Sequence, residues 1–191
     1  MLRTIREYAL ERLHETGEEH SVRDRHLAHF LRLAERAYPE RLQRREEARA
    51  ELKVELDNLR AAADWAAETD AGRELELVGA LAWFWILDTT ITEAEERLSA
   101  ALARRGGPSL ARARAYYFSG NAAASRGNVA ESLPFFEAAL AAYRELGDER
   151  DVSLALEGLG MTYTKTATRS LPSGTSGRAS TSARESSRPP L

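Results

Sequence analysis

The 191-residue chain contains no cysteine. It can therefore form no disulfide framework and no thiolate metal site, and it offers no Cys nucleophile; a reducing cytoplasm fits that composition. It also lacks a long apolar run. The longest, Leu77 to Leu87, is about half of the ~20 residues that a membrane span needs, and it suits a buried helix better. The opening MLRTIREYALERL mixes charges into its apolar positions, unlike a secretory signal. Clustered positive charge is missing from the body. Thr164 to Leu191 carries five basic residues against one acid, a formal +4, while the whole chain is −3, so the other 163 residues carry −7. An acidic body argues against a phosphate-backbone footprint.

What is present is helix-forming. Ala, Leu, Glu and Arg dominate, charged residues make up 30% and hydrophobic residues 43%. Leu2 to Thr16 has apolar positions at helical spacing and is expected to end at Gly17. Ser21, with Asp24 three residues on, fits a capping box opening a second helix, and Pro39 either stops that helix or opens the next. Glu40 to Thr69 is a charged helical stretch with a break expected near Arg49, and Gly72 separates it from Arg73 to Leu87. Trp83, Phe84 and Trp85 sweep about 200° of that helix, so one face cannot hide them all. Either they sit between two neighbouring helices, or Trp83 or Trp85 reaches a partner surface. Thr90 with Glu93 caps a further helix to Arg105, and Gly106-Gly107-Pro108 is a linker.

Ser109 to Tyr163 organises the rest. It has the pattern of a helix, a Gly127-Asn128 turn, a helix, a Gly147-Asp148 turn and a third helix. Gly120 and Gly160 hold equivalent places 40 residues apart, a period made of helix pairs and typical of an α-solenoid. Ser109 and Asn128 are the expected caps, and Pro134 falls inside the second helix. Beyond Tyr163 the pattern fails. Twelve of the 28 residues from Thr164 to Leu191 are Ser or Thr, and that segment is expected to be disordered. The expected organisation is a helical region over 1–105 that precedes and caps the repeats, the repeats over 109–163, and the tail over 164–191.

These residues resemble lengthened tetratricopeptide repeats. Gly120 stands at the small position of the first helix, Gly127-Asn128 at the turn, and Phe136 and Ala139 at the later places; Leu156, Leu159, Gly160 and Tyr163 begin the next repeat. Ser119, Ala123 and Ser132 depart from the usual residues. The segments TIREYALERL, RHLAHFLRLAERAYPE, ELDNLRAAADWA and LVGALAWFW are similar to the region behind the ATPase and winged-helix modules of LuxR-like and antibiotic-regulator-like bacterial signalling ATPases. In those proteins a tetratricopeptide array serves as sensor arm. No GxxxxGK[ST] and no helix-turn-helix signature occur here, so neither nucleotide hydrolysis nor DNA binding is carried over. The resemblance implies an all-α protein of antiparallel helix pairs forming a short tetratricopeptide-like α-solenoid, in origin a piece of a regulator's sensor arm. Shifting an assumed reading frame near Thr164 restores a Gly-Asp turn seven residues past Gly160. The tail is therefore either a frameshift product or native.

No catalytic constellation is evident. His26 and His29 lie at i, i+3 but have no third ligand, and adjacent acid pairs such as Glu46-Glu47 do not face each other. No cofactor or metal is expected. The expected function is protein–protein interaction. Arg114, Tyr117, Asn121 and Ser125 share one side of the first repeat helix and are the candidate groove residues for a protein or peptide, with Trp83 and Trp85 as further contacts. On that reading Arg114→Ala weakens a peptide ligand and shifts the melting temperature little. A homodimer through Leu156, Leu159 and Tyr163 is a further expectation. The alternatives are a nucleic-acid-associated regulator using the basic tail, or a gene fragment without a partner.

Overall fold

The computed structural model describes residues 8, 12, 13 and 15–170, and every element within them is α-helical. Eight helices are defined there: α1 Glu19–Glu40, α2 Arg45–Val54, α3 Leu56–Thr69, α4 Ala71–Asp88, α5 Ile91–Ala103, α6 Leu110–Ser125, α7 Val129–Leu146 and α8 Glu149–Ser170. Most of the helix expected over Leu2 to Thr16, and the tail from residue 171 on, lie outside the described residues. The end of that first helix is visible. Gly17 has φ 70° and the Glu18 N–H donates to the Leu13 carbonyl at 3.1 Å. The same closure ends α6 and α7. Gly127 and Gly147 adopt φ 78° and 72°, and the N–H groups of Asn128 and Asp148 reach back five residues to Ala123 and Tyr143. Only glycine takes this left-handed position without cost, so the Gly-Asn and Gly-Asp signals work as expected.

Several local expectations change. Ser21 caps nothing: α1 starts at Glu19, and the Asp24 carboxylate instead accepts from the Trp65 indole N–H at 3.0 Å. Pro39 lies within the last turn of α1, where the helix is ending anyway. The charged stretch breaks at residues 41–44 and at Glu55, not near Arg49. The N-cap of α4 is Asp70, whose carboxylate accepts from Gly72 and Arg73 N–H, so Gly72 lies inside the helix. Thr90 caps α5 and Ser109 caps α6 through their hydroxyls, as their positions predict. Glu93 does not reciprocate; it grips Arg60 of α3 with two hydrogen bonds of 2.8 and 2.7 Å. Asn128 makes no side-chain cap to α7.

Helix α4 is the axis of the N-terminal half. Its apolar residues run all the way round, and it packs against α1, α3, α5 and α6. A helix hydrophobic on every side must be enclosed. Trp83, Phe84 and Trp85 are all buried accordingly, Phe84 and Trp85 completely and Trp83 to 5% exposure. The approach of α4 to α6 is set at Gly79, where an added Cβ would meet the Ala111 carbonyl oxygen at 2.7 Å.

Two apolar clusters result. The larger joins α1 through α6; the smaller is centred on Phe136, Tyr143, Ala155 and Leu159 of α7 and α8, and the Tyr117 side chain packs against both. Phe136 occupies a slot that two glycines open. A Cβ at Gly120 would come within 2.9 Å of its ring and one at Gly158 within 2.6 Å. Gly160, expected to share the role of Gly120, faces open space among the described residues. Finally, α8 continues past Thr164 to Ser170. The hydroxyls of Thr162, Thr164, Thr166 and Thr168 each donate to the carbonyl four residues back. Such bonds let threonine sit within a helix, so the Thr-rich composition does not end it.

Candidate partner-binding groove

Helices α2, α4, α6 and α8, with the turn after α1, converge around a groove of about 220 Å³. Helix α6 contributes Tyr117, Phe118, Asn121 and Ser125. Helix α4 contributes Trp83, Ile86 and Leu87, and the turn after α1 contributes Arg41 and Leu42. Three of the four residues expected on the α6 row therefore line one cavity, and Trp83 joins them.

Arg114 does not. It lies on the same side of α6, but the N-terminal half of that helix is covered by α1. Arg114 is 8% exposed, its Nη1 donates to both oxygens of Glu35 at 2.9 and 3.0 Å, and its guanidinium stacks 3.7 Å from the centre of the Tyr38 ring. A side chain so held is part of the fold, and Arg114→Ala would destabilise the protein as well as any complex. Trp85 is also removed from any partner surface. It is fully buried, with the Arg97 guanidinium of α5 5.1 Å from its ring. Its neighbour Trp83 points around the helix by about 200° and lines the groove, with its indole N–H free of any partner.

Three features of the groove have no local sequence signal. Leu42 and Leu87 flank it and are 43% and 47% exposed, large apolar side chains that the fold leaves in water. Arg45 lines it too, donating from Nε to the Arg41 carbonyl at 3.1 Å, with no carboxylate paired to it among the described residues. Beneath them lies a buried polar network. The Asp151 carboxylate in the first turn of α8 accepts from Arg41 Nη2 at 3.0 Å and from the Tyr38 hydroxyl at 3.1 Å. Arg41 also donates to the Tyr38 carbonyl and stacks 3.5 Å from its ring centre. Arg41 and Asp151 are each 4% exposed.

Asn121 gives its amide N–H to the Tyr117 carbonyl at 3.0 Å, which leaves its side-chain oxygen as an acceptor. Burial raises the Tyr117 phenol above its ordinary pKa, so it stays protonated and able to donate at any physiological pH. The cavity falls below the roughly 300–1,000 Å³ of organic-cofactor sites and is matched to one or two side chains. Among the described residues no three His, Cys, Asp or Glu side chains gather as a metal set. None of the helices described is long and apolar enough to cross a membrane. No family model, curated protein or solved structure matches this chain.

Proposed function

We propose that this protein is a protein–protein interaction module of the tetratricopeptide sensor-arm type, and that its groove takes a peptide segment carrying an apolar anchor beside an acidic residue. The observation that carries the reading is the pairing of two exposed leucines with an unpaired arginine at the mouth of one cavity. Leu42 and Leu87 give an apolar rim, Trp83 and Tyr117 an aromatic wall, and Arg45 a free cation for a carboxylate. Tyr117 and Asn121 supply a donor and an acceptor that hold a peptide backbone in register.

The test is selection from a displayed random-peptide library on the intact chain, followed by affinity measurement on variants. Enriched peptides should combine an aromatic or aliphatic residue with Asp or Glu. Leu87→Asp and Arg45→Glu should each weaken them tenfold or more, whereas Leu146→Asp, at an exposed leucine on α7, should leave affinity unchanged. Peptides that bind all three variants equally would remove the groove from the function.

A second reading, self-association, rests on α8. Leu156 and Tyr163 are 46% and 54% exposed, on the face where Gly160 is open, so a second copy could pack there. Leu159 is not part of that face, because it packs against the Phe136 cluster. Sedimentation of the wild type against Tyr163→Glu distinguishes a dimer from a monomer.

A further inference from the structure

A second, larger cavity of about 690 Å³ lies on another part of the molecule, between α1, the N-terminal turns of α4 and α6, and the Gly106-Gly107-Pro108 linker. We infer that this cleft binds a small organic phosphate, with the phosphate held by Arg32, Arg105 and Arg112 and the apolar part seated on Leu31, Leu75 and Leu110.

The argument begins with charge. Five arginines line the cleft, and two of them are neutralised by the fold. Arg114 pairs with Glu35, and Arg104 with the buried carboxylate of Glu74. The other three are not. Arg112 donates from Nη1 to the Leu102 carbonyl at 3.1 Å and from Nη2 to the Arg104 carbonyl at 2.8 Å. Those acceptors fix the guanidinium in place while leaving its charge uncompensated. Arg32 and Arg105 are exposed and pair with no acid among the described residues. Against these three cations the lining offers one further acid, Glu76, so the cleft carries a net charge of about +2 on an otherwise acidic body.

Backbone dipoles add to this. Helix α6 opens at the cleft with no acid in its first turn and with Arg112 there instead, so beyond the neutral Ser109 cap its first turn brings no negative charge to the positive end of the helix. An anion also brings oxygens to a cleft whose lining has guanidinium donors in excess. A phosphate dianion matches both the charge and the fork geometry of guanidinium groups. The volume lies in the range of small-molecule sites, and the leucine floor favours a ligand with an apolar portion over a bare ion. A nucleic-acid strand is disfavoured, because residues 1–163 carry a formal −7 that would repel a long phosphate backbone.

The experiment is isothermal titration of the intact chain with phenyl phosphate, inorganic pyrophosphate and phenol. Phenyl phosphate should bind saturably, more weakly as salt is raised, and pyrophosphate less tightly; phenol should not bind. Arg105→Glu and Arg32→Glu remove cations that the fold does not use, so each should retain the wild-type melting temperature and lose affinity about tenfold or more. Arg45→Glu, in the other groove, should have no effect. Absence of saturable binding by either anion up to about 1 mM, or equal binding by Arg105→Glu, would overturn the assignment.

Discussion

Replacing Asp151 with alanine should destabilise the protein by about 3–5 kcal/mol, the usual result of removing one partner of a buried ion pair. The magnitude follows from what is left behind. Arg41 is 4% exposed, and its Nη2 loses the one anionic partner it has among the described residues, so a charge remains out of water with carbonyl and ring contacts. The Tyr38 hydroxyl loses its acceptor as well, 113 residues away in sequence. Tyr38→Phe removes only that hydrogen bond to a charged group and should cost less, about 1.5–3 kcal/mol. For a chain of this length, 3–5 kcal/mol corresponds to a fall in melting temperature of roughly 6–20 °C. The assay is urea unfolding of Asp151→Ala, Arg41→Met and the double variant Arg41→Met/Asp151→Ala. Each single change leaves a buried charge unpaired, whereas the double change leaves only the neutral Tyr38 hydroxyl without its acceptor, so the double variant should lose less than the two single losses added together. Additive losses would refute the reasoning, since they would mean that the two groups do not act on each other.

Three further measurements bear on the fold. Gly160→Ala should stabilise the protein by up to about 1 kcal/mol, because it adds helix propensity where nothing lies within 4 Å; Gly158→Ala, two residues away, should destabilise it by about 1–3 kcal/mol, because the Phe136 ring stands 2.6 Å from the new Cβ. Adding Phe136→Leu to Gly158→Ala should recover part of that loss, and chemical melts of the three variants check it. Stability should also fall on acidification in two windows. Burial, reinforced by His29, lowers the pKa of His26 against the opposing effects of Asn58 and Glu55, so the folded state resists a proton that the unfolded chain accepts. Its contribution is complete above the ordinary 6.5 and is lost as pH falls below it; melts at about pH 7.5 and 5.5 should differ less in His26→Gln than in the wild type. Glu93, held below its ordinary range chiefly by the Arg60 hydrogen bonds, adds a second loss below about pH 4.5, which Arg60→Met should abolish.

The helices and turns were legible because their signals are local. Gly17, Gly127 and Gly147 close helices through hydrogen bonds spanning five residues, and Thr90 and Ser109 cap helices three residues ahead, all within a window that the sequence displays. Ser21 shows where such a signal loses. Its capping box was plausible, but Glu18 already begins the turn, and Asp24 gains more by accepting from Trp65 of α3, 41 residues on. The short stretch from Thr164 to Ser170 errs in the other direction. Composition argued against order there, yet the hydroxyls of Thr164, Thr166 and Thr168 each find a carbonyl four residues back, an interaction that residue counts do not register.

The two cavities mark the limit of periodicity more sharply. A helical row tells which side of α6 faces outward, and Arg114, Tyr117, Asn121 and Ser125 do share that side. It does not tell how far along the helix a neighbour covers it. Helix α1 covers Arg114 through Tyr38 and Glu35 and withdraws before Asn121, so one row divides into a structural arginine and a groove. The same division explains why the charge of the chain misleads locally. Among the described residues only about half of the arginines pair with an acid; pairing depends on which acids the packed helices bring within reach, and around the 106–108 linker too few arrive. The uncompensated cations of that cleft and the exposed leucines of the groove are both residues that folding leaves unsatisfied. Such leftovers, rather than the residues that fit best, are where a folded chain is most able to take up something else.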